Sequence, residues 1–228
     1  MTMRELIFNK NKATASVKIL IVALLALFAV SPVLTQTAEK RRLLEAEQAL
    51  SDLGYWILDV DGKPDESTRH ALIAFQKMEG RKRTGILNDA EMLAIRRAKP
   101  PAPRFEGDKH VEVDLTRQVV YLVSEAGEVS NILPISSGSE KPYFEDGKKQ
   151  IAHTPRGTFK IERQIHGTRK APLGNLYNPS YFYKGVAIHG SNSIPVFPAS
   201  HGCVRIPRFA DKYFIDLVHI GMTVYVFD

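Results

Sequence analysis

The apolar positions change period twice along the chain, and those changes divide it. The first run, "ILIVALLALFAV" at 19–30, is apolar throughout. Basic "MTMRELIFNKNKATASVK" precedes it, and the polar, small-residue "SPVLTQTAEK" follows. That is the order of a secretory signal: basic region, apolar region, cleavage zone. The run is short of the roughly 20 apolar residues a spanning helix needs. Counting from Val17 to Leu34 brings it close. Residues 1–37 are therefore expected to be a cleaved signal or a retained membrane anchor. A buried core helix is the weaker alternative, because an all-apolar helix with basic flanks at the extreme N-terminus makes a poor core element. Positive charge stays inside, so both preferred readings put the rest of the chain outside the cytoplasm.

Residues 39–98 have a helical period. In "AEKRRLLEAEQALSDLGY", Leu43, Ala46, Leu50 and Leu53 recur at helical spacing, and Gly54 is placed to end the helix. In "DESTRHALIAFQKMEG", Asp65 can cap, Ala71, Leu72, Phe75 and Met78 make an apolar face, and Gly80 closes. In "NDAEMLAIRRA", Asn88 can cap with Glu91 three residues on, a variant capping box. Three short amphipathic helices predict a small bundle. "AKPPAPRFEGD" follows, and Pro100, Pro101 and Pro103 make residues 99–107 an extended, stiff spacer.

From 108 to 228 the period falls to two. Val111, Val113 and Leu115 are in phase, then Val119, Tyr121 and Val123, with "SEAGEV" as a hairpin turn. "GTFKIERQ", "SYFYKGVAIHG" and "GMTVYVFD" are further runs rich in β-formers. One helix is expected within "RFADKYFIDLVHIG", with Phe209, Tyr213, Ile215 and Leu217 around a partly buried surface and Gly221 after it. The expected fold is a mainly antiparallel sandwich or open barrel with one late helix, beside the small helical bundle.

Composition adds two constraints. The 228 residues carry a formal charge of +6. Residues 1–37 hold four basic side chains and one acidic, so 27 basic and 24 acidic remain, a balance of +3. That is too weak and dispersed for a nucleic-acid partner. There is one cysteine, Cys203, so no internal disulfide can form. A lone thiol in an exported chain is a liability that catalysis would justify; an inert buried cysteine is the bland alternative.

Cys203 lies in "SHGCVRIP", two residues after His201 and a short loop after His189. A cysteine attacks carbonyls as thiolate, and an imidazole can take its proton to form an ion pair. In an extended segment His201 and Cys203 would point the same way. The loop holding Pro195 and Pro198 could turn Cys203 back against His189. Gly202 allows close approach to the backbone, and the amides of Gly202 and Cys203 could form an oxyanion hole. His189, His201 and Cys203 are also zinc-competent, but the spacing is uncommon and a catalytic carboxylate is not evident nearby. Ser200 is better placed to hydrogen-bond within the turn than to attack. His70, His110 and His219 read as structural, while His153 and His166 stay open. His166 precedes "GTRKAPLGN", a loop expected to border the site.

Two resemblances carry the reading further. "LGY", "DG", Thr68, Ala71, "AFQ" and "TGIL" resemble the peptidoglycan-binding domain found beside many wall enzymes. Asp65 departs from that pattern, which usually has glycine there. "HTPRGTFKI" (153–161), "AIHG" (187–190) and "SHGCVRI" (200–206), with "VDLTRQVVYLV" and "SSG" (136–138), are similar to the L,D-transpeptidase catalytic domain across 108–228. The resemblance implies that Cys203 is the acylated nucleophile and His189 the proton acceptor and donor. His201 and Gly202 would shape the pocket and oxyanion hole, and Arg205 and Ser200 would contact substrate or brace the site. Arg205 stands where part of the family has asparagine, and the loop from His189 to Ser200 is shorter than its commonest form. The implied partners are peptidoglycan stem peptides as donor and acceptor, with no cofactor, no metal and no nucleic acid. The implied location is the periplasm or cell envelope, with membrane contact through a retained N-terminal anchor alone. The same acyl-enzyme could pass to water, as an L,D-carboxypeptidase or endopeptidase, or to a protein amine. A wall-binding protein without catalysis is the rival class, against which His189 and Cys203 argue.

Overall fold

The structure, a computed structural model, describes residues 35–145 and 147–228. The signal or anchor expected over 1–37 falls almost wholly outside the described residues. Among those described, no helix is long and apolar enough to cross a membrane.

Helix α1 runs through 35–52. Gly54, at φ +89°, lets the Tyr55 amide return to Leu50 O at 2.9 Å, the closure that a left-handed glycine permits. Helix α2 (Glu66–Met78) begins where the Asp65 carboxylate accepts the Thr68 amide at 2.7 Å. Helix α3 (Asp89–Arg97) begins where Asn88 accepts the Glu91 amide at 2.9 Å. The Glu91 carboxylate goes instead to Arg81 Nε at 2.9 Å, so the capping box is half-made.

The strands are β1 (His110–Asp114), β2 (Val119–Val123), β3 (Val129–Pro134), β4 (Pro142–Glu145), β5 (Lys148–Ile151) and β6 (Gly157–Lys160). Then come β7 (Arg163–Gln164), β8 (Thr168–Ala171), β9 (Gly174–Tyr183), β10 (Val186–Ser191), β11 (Val204–Pro207), helix α4 (Asp211–Leu217) and β12 (Thr223–Phe227). One sheet has the order β3-β2-β1-β12-β6, and a second has β11-β10-β9-β7 with β8 also on β9. β4 and β5 form a separate hairpin. The β1–β12 and β10–β11 pairs are parallel, and the other pairs are antiparallel.

The two sheets pack face to face. Val111, Val113, Val224 and Val226 of the first meet Phe182, Ile188, Val204 and Ile206 of the second, with Phe214 of α4. The first sheet is covered on its other face too. There Val119, Tyr121, Ile132 and Phe227 join Leu50, Ala71, Phe75 and Ile95 of the helices in one apolar cluster. It is therefore the middle of three layers. β1 and β2 are buried along their whole lengths, so their alternation marks which neighbour each side chain meets, not core against solvent.

The spacer does not separate two bodies. The amides of Arg104 and Phe105 donate to the Glu112 carboxylate at 2.9 and 2.8 Å. Phe105 stacks on Tyr225 at 4.2 Å between ring centroids. The late helix is shorter than expected: Phe214 and Ile215 form its buried face, while Tyr213 and Leu217 are exposed.

Candidate active site

β10 and β11 lie parallel, with Ile188 opposite Val204 and His189 opposite Arg205. Partners in a ladder share a face, and the strand period of two puts Cys203 on the face of Arg205. The turn before β11 is built by short hydrogen bonds. Ser200 Oγ accepts the Gly202 amide at 3.0 Å and donates to Cys203 O at 2.5 Å. Gly202 has φ +139°, and a Cβ there would lie 2.9 Å from His153 O. Thr154 Oγ1 accepts the Gly138 amide at 2.8 Å and donates to Gly202 O at 2.7 Å. Ser137 O takes the amides of Ala199 and Ser200 at 2.9 and 2.8 Å. Residues 136–138, 154 and 199–203 thus meet around the cysteine. Sequence reasoning did not single out Thr154 or Ser137, although both lie inside motifs it quoted.

His189 is 5% exposed, and its Nδ1 lies 2.8 Å from Gly190 O. A carbonyl can only accept, so Nδ1–H donates and the neutral ring presents Nε2 without a proton. Burial pulls its pKa down to about 4, with the charge of Arg205 acting in the same direction. Burial pushes the Cys203 thiol up, against the opposing effects of the Ala187 amide and Arg205. Both shifts favour a neutral thiol beside a neutral imidazole at pH 7, unlike the ion pair expected from residue types. The Cys203 Sγ–H points to Gly185 O at 3.9 Å, and no hydrogen bond joins it to His189 among the described residues.

Other expected residues fall differently. The Gly202 amide is committed to Ser200 Oγ, so it is not a free oxyanion donor. The Cys203 amide makes no hydrogen bond among the described residues. Ser200 is buried with its hydroxyl engaged inside the turn, which it braces, while it also lines the cavity beside Cys203. The sharp turn breaks the extended geometry. The exposed ring of His201 lies 4.7 Å from that of Tyr143 on β4. Among the described residues no three His, Cys, Asp or Glu side chains converge as metal ligands.

Cys203, His189, His201, Gly202 and Arg205 line one cavity of about 580 Å³. The β4–β5 hairpin supplies Tyr143 and Glu145 to its wall, and β7 supplies Arg163. The stretch read as a loop after His166 is the β8–β9 hairpin, which adds Arg169 and Leu173; His166 itself is exposed and outside the lining. The lining holds four cationic side chains, Arg163, Arg169, Lys184 and Arg205, and one carboxylate, Glu145, an excess that favours an anionic ligand. Behind His189, the buried Asp211 carboxylate presses on Gly190 so closely that any Cβ there would overlap it. Asn178 Nδ2, at 3.0 Å, and Arg208 hold that carboxylate. His153 pairs with Glu140 on the surface at 2.9 Å.

With the fold and the cavity described, comparison with known proteins supplies the family. The L,D-transpeptidase catalytic domain matches residues 108–226, and a peptidoglycan binding domain matches 41–95. A crystal structure of the L,D-transpeptidase (residues 123–326) of Xylanimonas cellulosilytica is 39% identical, with a TM-score of 0.77 over 81% of this chain and 92% of that one. An L,D-transpeptidase from Stackebrandtia nassauensis is 23% identical over 82% of this chain and 90% of that one, with a TM-score of 0.48. No curated protein matches the chain. The chain belongs to the L,D-transpeptidase family.

Proposed function

We propose that this chain is an exported L,D-transpeptidase whose residues 39–98 grip peptidoglycan and whose residues 108–228 cross-link it. The reading rests on Cys203, His189 and Arg205 sharing one face of a cationic cavity in a member of this family. Cys203 Sγ attacks the carbonyl that follows the L-centre of the third stem-peptide residue. His189 Nε2 takes the thiol proton and returns it to the departing amine of the terminal D-amino acid. The C–N bond breaks and a thioester forms. An amine of a second stem peptide then attacks the thioester, giving a 3→3 cross-link and restoring the thiol. The neutral resting pair supports proton transfer at the moment of attack. Arg205 favours the thiolate form as it develops, and the unpaired Cys203 amide is the donor available to the oxyanion. The cationic lining suits a peptide that ends in a carboxylate. Residues 1–37 direct export in this reading.

Intact mass after incubation with a tetrapeptide donor tests it. The wild type should gain the acyl mass and Cys203→Ala should not; an adduct on the alanine variant overturns the assignment. Muropeptide profiles of treated sacculi identify the acceptor: cross-linked dimers for an amine, trimmed monomers for water.

A further inference from the structure

Lys77 stands in the last turn of α2, yet it is only 2% exposed. Its Nζ donates to Gln118 O at 2.9 Å and to Ile135 O at 2.7 Å, across the boundary between bundle and sheet. No carboxylate pairs with it among the described residues. Burial brings its pKa down to about 7, helped by Arg83. The neutral amine keeps two N–H bonds, enough for both carbonyls. Burying such a group costs free energy that an unbranched apolar side chain of similar length would not.

What the lysine holds lies next to the cysteine turn. Gln118, at φ +61°, folds its side chain onto Ser137: Nε2 donates to Ser137 Oγ at 2.7 Å, and Oε1 accepts the Ser137 amide at 3.0 Å. Ser137 O carries the amides of Ala199 and Ser200. Ser200 Oγ carries Gly202 and Cys203. The path from α2 to the Cys203 backbone is therefore a contiguous series of hydrogen bonds, the kind of network that can transmit position. A second bond reaches the same region: Arg83 Nη1 donates to Val196 O, in the loop between β10 and Ser200, at 2.8 Å.

We propose that Lys77 is a positioning residue for the Cys203 turn, so that the helical bundle sets the geometry of the reacting thiol. This deepens the reading above and rests on Cys203 as the reacting group.

The test uses the full chain. Lys77→Met removes the desolvated amine but leaves Ile135 O without its donor, two effects of opposite sign, so its melting temperature should stay close to that of the wild type. Its rate of Cys203 alkylation by iodoacetamide at pH 8 should nevertheless fall by about fivefold. In turnover, kcat should fall while KM for a tetrapeptide donor holds. Gln118→Ala should give a similar drop, and the double variant should drop no further than either single one, because both act through one path. Lys77→Gln, which keeps a donor, should lie between; if Lys77→Met fails to fold, it carries the same comparison. A folded variant that alkylates at the wild-type rate overturns the proposal, as does full additivity with Gln118→Ala. Alkylation needs no acyl donor, so its result stands whether or not the wild type transpeptidates.

Discussion

Thr154 ties three segments that are far apart in sequence. Valine at this position would keep its shape and delete both bonds, leaving the Gly138 amide and the Gly202 carbonyl buried and unpaired. Each such group costs about 1–3 kcal/mol, so Thr154→Val should lower the stability read by urea unfolding by about 2–4 kcal/mol. An unchanged midpoint would show that the hydroxyl does not hold the turn. Residues of this kind were the least legible in the sequence. Cys203 and His189 carry their chemistry in their side chains and could be named from it. Thr154 acts on partners 16 and 48 residues away, and no periodicity reports that. The Gly202 amide shows the converse. It looked available as an oxyanion donor until the placement of Ser200 Oγ showed it taken.

At the scale of elements, the helices and their caps were readable because Asp65, Asn88 and Gly54 act on their own neighbours. The long valine-rich strands were readable by their period, but which layer covers each face was not. The β4–β5 and β8–β9 hairpins escaped notice because "KKQI" and "TRKA" are short and largely polar, and "PYFE" is only four residues long and opens on proline. These hairpins wall the cavity, so the substrate-facing part of the site was its least predictable part. The proline-rich spacer was readable as extended, but not as docked. Its docking rests on Phe105, held between Tyr225 and Phe227. Phe105 is half-buried, so Phe105→Ala should cost about 1–3 kcal/mol in urea unfolding. A neutral result would mean that the spacer rides loosely on the sheet.

Across the whole molecule, the shared apolar cluster makes bundle and sandwich one unfolding unit, so ionisations in either layer act on the same transition. Burial lowers the pKa of His70 in the bundle and of His189 in the sandwich to about 4, from an ordinary 6.5. Between pH 6.5 and 4 the unfolded chain therefore binds more protons than the folded one, and stability falls as pH falls. Each histidine contributes on the order of 3 kcal/mol over that window. Lys77 has the same sign at higher pH: its folded value of about 7 lies below 10.5, so stability rises between the two. Urea midpoints should climb from pH 4.5 to pH 8 in one transition, by the arithmetic of about 1.4 kcal/mol per pKa unit. A midpoint independent of pH, or two separate transitions, would contradict this.

The common core also bears on distance. Two domains on a free tether would let a catalytic cavity roam around whatever the other domain holds. Here the cavity and the bundle surface keep one spacing, and a glycan strand seated on the bundle would present its peptides at a fixed offset. On the proposed reading, such an enzyme would sample the wall like a ruler laid against it, and cross-link sites would be chosen by geometry as well as by chemistry.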